Sequence, residues 1–171
     1  MLKNNSGITM ITLVITIIVL LILTSITTYS GISSIESAKY YNAISQLKVL
    51  QSKVNELYED YKNGNTEVLE NGESILEYEM ETKATQAYNS VRDNNLNDTN
   101  IGILSDYRYY SSDYIRSNLD LEGINYNFLV NIKERSVILF DGVTLKGFNY
   151  YALCQIEGEQ YNVKYESENT I

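Results

Sequence analysis

From Ile8 to Ile26 the chain runs 19 residues without a charge, 14 of them Ile, Leu, Val or Met and the rest Thr or Ser. The hydroxyls of such Thr and Ser residues can bond back to the preceding helical turn, so the run predicts an apolar helix. At about 1.5 Å per residue it covers roughly 28 Å, close to the ~30 Å hydrocarbon thickness of a bilayer. Each large aliphatic residue favours insertion by about 0.3 to 0.6 kcal/mol, whereas a fully buried core helix of this length is out of proportion to a small chain. Lys3 and the starting amine lie on the short side and a long acidic segment on the other. That asymmetry predicts a single-pass membrane protein with a cytoplasmic N-terminus and an extracytoplasmic remainder. A cleaved secretory signal is the competing reading; it calls for a shorter apolar stretch and small residues after it, whereas Ile26-Thr27-Thr28-Tyr29 follows here.

A different pattern begins at Tyr40. Apolar residues recur as Tyr40, Ala43, Leu47, Leu50, Val54, Leu57 and Tyr61, alternating steps of three and four, with Lys39, Gln46, Lys48, Gln51, Lys53, Glu56, Glu59 and Lys62 between them. This is one seam of a helix. Asn63-Gly64-Asn65 supplies its stop, and with no Pro in the chain a single helix is predicted from about Ile8 to Lys62, frayed near Tyr29 to Ser34. The seam can serve a two-stranded coiled coil or lie on the chain's own C-terminal domain; Tyr at both ends favours the second.

Past Gly64 a second, shorter helix is predicted within Glu73 to Val91, from Met80, Ala84, Ala87, Tyr88 and Val91, before an Asn-rich loop at Asp93 to Asn100. A third opens at Ser111 or Ser112, where a hydroxyl can cap the first turn, and Gly123 ends it. The remainder predicts sheet: Tyr126 to Ile132, a polar turn, Val137 to Phe140, then Tyr150 to Ile156 and Gln160 to Tyr165 joined through Glu157-Gly158-Glu159. The fold class is therefore α+β, a long N-terminal helix with a membrane-spanning first half packed on a small antiparallel sheet of about four strands, with short helices between.

Composition narrows the chemistry. The chain has 171 residues, a net charge of −9, no His and one Cys. One modest domain is the ceiling, and His-based acid/base work, Cys/His nucleophiles, tetrahedral zinc sites and intramolecular disulfides are excluded. The 13 basic residues are scattered, which argues against nucleic acid. No enzyme, cofactor or metal is expected. Asp93, Asn95 and Asn97 stand at the first, third and fifth places of a calcium loop, but Asp98 occupies the Gly position and Leu104 the bidentate Glu position, so a solvated loop is the better reading. Glu73, Glu77, Glu79 and Glu81 read as a solvated helix face, Tyr107, Tyr109, Tyr110 and Tyr114 as core anchors rather than an adhesive patch, and Cys154 as a small buried hydrophobe.

The N-terminal stretch also carries a resemblance. A short polar leader ending in Gly7, then Ile8-Thr9-Met10-Ile11-Thr12-Leu13 and an uncharged helix, resembles the type IV prepilin N-terminus shared by pilins and type II secretion pseudopilins. The family's pattern is Gly, an apolar residue, Thr, an apolar pair, Glu. The resemblance implies cleavage after Gly7 by a prepilin peptidase, N-methylation of the new terminus at Ile8, and assembly with other pilin-like subunits through the N-terminal helix. It covers residues 1 to 30 or so. More loosely, Val130-Asn131-Ile132 to Val137-Ile138, with Gly147 to Leu153, looks like pseudopilin-type proteins of low-GC Gram-positive bacteria. One departure matters: Thr12 stands where the family has Glu, a residue thought to meet the N-terminal amine of a neighbouring subunit in the filament core. Its absence resembles minor subunits at filament tips. Tyr29 stands where many major pilins carry a helix-softening Pro.

The expectation is thus a leader (1–7), a transmembrane and amphipathic helix (8–62) and an extracytoplasmic α+β domain (63–171). The function expected is that of a minor structural subunit of a pilus, secretion or DNA-uptake filament, held in membrane lipid as a precursor and reaching the cell surface on assembly. The alternative is a single-pass membrane-anchored binding module that does not polymerise.

Overall fold

The structure, a computed structural model, describes residues 6–75, 78–96 and 98–156. Helix α1 is Ser6–Lys62, and the predicted fraying at Tyr29 to Ser34 is not observed, those residues being helical. By contacts the chain divides inside α1 into two compact units, Met1–Ala38 and Lys39–Ile171, so the amphipathic half of the helix belongs with the globular part.

The end of α1 follows from local chemistry. Gly64 takes φ +99°, a left-handed conformation that costs a Cβ-free residue nothing. Its N–H donates to the Tyr61 carbonyl and the Asn65 N–H to the Asp60 carbonyl, each at 3.0 Å, the paired bonds that satisfy the last carbonyls of a helix.

Among the described residues of the globular unit, α2 (Tyr78–Asp93) and α3 (Ser112–Asn118) accompany five strands: β1 (Arg108–Tyr110), β2 (Phe128–Asn131), β3 (Ser136–Leu139), β4 (Val143–Leu145) and β5 (Phe148–Tyr150). The Ser111 side chain caps α3 by accepting from the Tyr114 N–H at 3.1 Å. Strands β1, β2 and β3 form one antiparallel sheet with β2 central, and β4 and β5 form a separate hairpin. Lys146 and Gly147, at φ +51° and +81°, make its two-residue turn, the right-twisting kind that suits a hairpin.

The sheet is covered on both faces. Tyr110, Phe128, Val130, Val137 and Leu139 turn to one side and pack with Tyr40, Ala43, Leu47, Leu50, Val54 and Leu57 of α1. Tyr107, Leu129, Ile138 and Phe140 turn to the other and pack with Ala84, Ala87 and Val91 of α2. The α1 seam thus lies on its own domain, as the Tyr-bounded pattern favoured, and α+β holds as the fold class.

Several expectations need correction. Glu73, at the head of the stretch expected to hold the second helix, is outside α2 and exchanges backbone hydrogen bonds with Tyr109, at 2.7 and 2.8 Å, beside the edge of β1. The third ends five residues short of Gly123, and Asp120 already takes φ +54°. Strand β1 was not predicted; three residues between turns carry too little alternation to read. Among the described residues the strands form a three-stranded sheet and a separate two-stranded hairpin rather than one sheet, and Tyr150 to Ile156 is not one strand. Tyr150 ends β5, and Leu153–Gln155 is a 3₁₀ turn. The Gln155 side chain holds that turn, its Oε1 accepting from the N–H groups of Tyr151 and Ala152 and its Nε2 donating to the Ser90 carbonyl. The strand expected at Gln160 to Tyr165 lies outside the described residues.

Candidate functional site

The cleavage pair Gly7 and Ile8 falls in the first turn of α1, with side chains outside those described. Thr12 is exposed, and its carbonyl accepts a hydrogen bond from the Thr16 hydroxyl at 2.7 Å. The bond spans four residues, so the hydroxyl is satisfied within the helix, as expected of Thr in an apolar helix.

Residues 12–20 are the described part of the apolar run, and every one is exposed. Nine residues make about two and a half helical turns, so no face is covered. Seven of the nine are large and aliphatic, from Leu13 at 60% exposure to Val19 at 47%. A water-facing helix normally confines its apolar residues to one stripe, and one that is apolar all round is ordinarily surrounded by other apolar matter. Among the described residues no helix is long and apolar enough to cross a membrane. The predicted span Ile8 to Ile26 is only partly among them, since the side chains of 8–11 and 21–26 fall outside.

In the Asn-rich loop the Asn95 side chain is committed at both ends, its Nδ2 donating to the Thr99 carbonyl and its Oδ1 accepting from the Thr99 N–H. Among the described residues no group of His, Cys, Asp or Glu converges as a metal set would. Glu73 and Glu81 are exposed; the side chains of Glu77 and Glu79 lie outside those described.

Of the four tyrosines, Tyr107 and Tyr110 are buried and Tyr109 and Tyr114 half-buried, all in the two cores. The Tyr107 oxygen lies 2.7 Å from both the Ile101 carbonyl and the Ser136 hydroxyl. With one proton to give, Tyr107 donates to the carbonyl and accepts from Ser136. Burial pushes the Tyr107 and Tyr110 hydroxyls well above the ordinary phenol range, which suits structural anchors rather than proton carriers. Cys154 is half-buried, and its burial raises the thiol to about 11, leaving it protonated and inert at neutral pH.

The sequence missed one set of residues that shape the unit. Gln46 and Gln51 read as polar positions between seam residues, yet Gln46 is buried, its Oε1 accepting from the Asn125 N–H at 2.8 Å and the Tyr126 N–H at 3.3 Å. Gln51 donates from Nε2 to the Arg135 carbonyl at 2.8 Å. Their one-position offset from seam residues 47 and 50 was a signal available in principle, since a residue flanking an apolar stripe is at the packed margin.

Compared with protein-family models, curated proteins and solved structures, the chain matches none.

Proposed function

We propose that this chain is a type IV pilin-like, or pseudopilin, structural subunit, a minor one, made as a membrane-held precursor and assembled into a pilus, secretion or DNA-uptake filament. The observation that carries the reading is the exposure of residues 12–20 on every face of α1. Such a surface is stable in lipid or among like helices, and a filament subunit needs both in turn. The leader ending in Gly7, followed by Ile8 and Thr9, supports processing between Gly7 and Ile8. Glycine there lets the backbone approach an intramembrane peptidase closely. In this reading prepilin peptidase, membrane lipid and other pilin-like subunits are the partners, and the globular unit is extracytoplasmic.

Thr12 supports a minor rather than a major subunit, and it also fits a second reading, a membrane-anchored binding module that does not polymerise. A filament core is a place where the new N-terminal amine needs a partner, because an unpaired charge there is expensive. Thr offers a hydroxyl but no countercharge.

Mass spectrometry of the N-terminal peptide from host membranes, with and without the prepilin peptidase, separates the readings. A chain beginning at methylated Ile8 only when the peptidase is present is the expected result. An intact leader leaves the anchored module, and a new end near Gly31 means a secretory signal.

A further inference from the structure

A cavity of about 200 Å³ lies between α2 and the turn that leads from β3 into β4, lined by Lys83, Gln86, Ala87, Phe140, Asp141 and Tyr151. Ala87 and Phe140 are buried and make an apolar floor, whereas Lys83, Gln86 and Asp141 are exposed and make the rim. At about 30 Å³ per water the space holds about six waters. That is room for one sugar-sized ring, not for a drug-sized molecule, whose pockets start at about 300 Å³.

Tyr151 gives the cavity its specific chemistry. The residue is only 7% exposed, yet its hydroxyl is bonded to no group of the described chain, although buried polar groups are nearly always partnered. Its position is fixed from several sides. The Tyr151 carbonyl accepts from the Leu139 N–H at 2.6 Å, and its N–H donates to Gln155 Oε1 at 2.7 Å. Gly142, at φ +67°, lets the ring lie where a Cβ on that residue would come within 2.7 Å of it. A phenol so held presents one proton and its lone pairs to whatever enters.

The two charges of the lining cancel. Lys83 Nζ stands 3.2 Å from the Asp141 carboxylate and 5.7 Å from the centre of the Phe140 ring. With no net charge at the rim, an ionic ligand gains little Coulombic attraction there. What the lining offers is mixed hydrogen bonding: Lys83 donates, Asp141 accepts, and the Gln86 amide and the Tyr151 hydroxyl do both. Neighbouring hydroxyls on a sugar ring also do both, and the C–H groups of the ring suit the apolar floor.

We propose that this cavity binds one unit of a neutral sugar, with the Tyr151 hydroxyl, the Gln86 amide and the Lys83–Asp141 pair meeting its hydroxyls. The inference does not rest on the pilin-like reading.

NMR titration of the full chain tests this, in a zwitterionic detergent that carries no sugar headgroup. The probes are the methyl glycosides of glucose, galactose, mannose and N-acetylglucosamine, with glycine as the charged control. The expected result is a saturable shift of the Gln86 side-chain amide with at least one glycoside, in the millimolar range, and none with glycine. Tyr151→Phe should weaken that binding about fivefold, the worth of one hydrogen bond. Its melting temperature should stay unchanged, because the hydroxyl it removes holds nothing in the described chain. Gln86→Ala, at an exposed position, should weaken binding likewise. No saturable shift with any glycoside overturns the proposal. So does binding that neither variant weakens, which places the sugar elsewhere, and so does glycine competing for the same shift, which makes the site one for ions.

Discussion

Gly72 shows most directly what one residue decides. At φ +81° it sits where a Cβ would lie 2.7 Å from both the Tyr109 carbonyl oxygen and the Tyr110 ring. The carbonyl is held by its bond to Glu73, so it has little freedom to yield. Gly123, at φ +77°, has nothing within 4 Å of the same position. Gly123→Ala therefore bears only the left-handed backbone penalty, about 1–2 kcal/mol, whereas Gly72→Ala adds a clash. Denaturant titration should place the Gly72→Ala midpoint clearly below that of Gly123→Ala; equal midpoints would mean that the approach of Tyr109 is not rigid. Cys154 yields a prediction of reactivity. With the thiol raised from 9.0 to about 11, its thiolate fraction at pH 8 is about a hundredfold below that of the unfolded chain, and alkylation by iodoacetamide should slow accordingly. The sign follows from the neutral form being favoured in the folded state: this contribution to stability is whole below pH 9 and is lost as pH rises toward 11.

At the scale of elements, the second half of α1 holds the globular unit together. Leu47 is fully buried against the sheet core, while Tyr41 on the same helix is 69% exposed. Leu47→Ala should cost about 2–5 kcal/mol and lower the melting temperature by many degrees, with Tyr41→Ala nearly neutral. A small effect at Leu47 would mean that the seam is held from outside, as in a coiled coil, rather than by the domain. The six buried seam residues were legible because a 3.5-residue spacing persisted over three heptads. Strand β1 was not, because its pairing partners, Phe128 to Val130, lie about twenty residues away and its three residues carry no local period.

For the whole molecule, the apolar run dominates the expected behaviour. Exchanging Ile17, 49% exposed, for Lys replaces a favourable insertion term by one of about +2.5 to +3.5 kcal/mol at a helix centre. Under the proposed function, Ile17→Lys should shift the chain from the membrane toward the soluble or degraded fraction, and in a filament should lower incorporation. Unchanged membrane fractionation of this variant would remove the bilayer from the account of residues 12–20, leaving helix packing alone to cover them.

The sequence by itself determined what depends on neighbours along the chain: the uncharged run, the seam from Tyr40 to Leu57, a serine cap at Ser111 or Ser112 and the Gly64 stop. It also limited the chemistry, since a chain with no His and one Cys has few catalytic options. Only the tertiary structure decided which polar residues go inside and which strands meet. Gln46 is buried because the chain entering β2 brings two N–H groups to it from about eighty residues away, and Tyr107 lies beneath the sheet because Ser136 and Ile101 arrive to share its hydroxyl. The physical reason is common to these cases: a buried polar group is stable only with its partner present, and a partner distant in sequence leaves no periodicity near the residue that needs it.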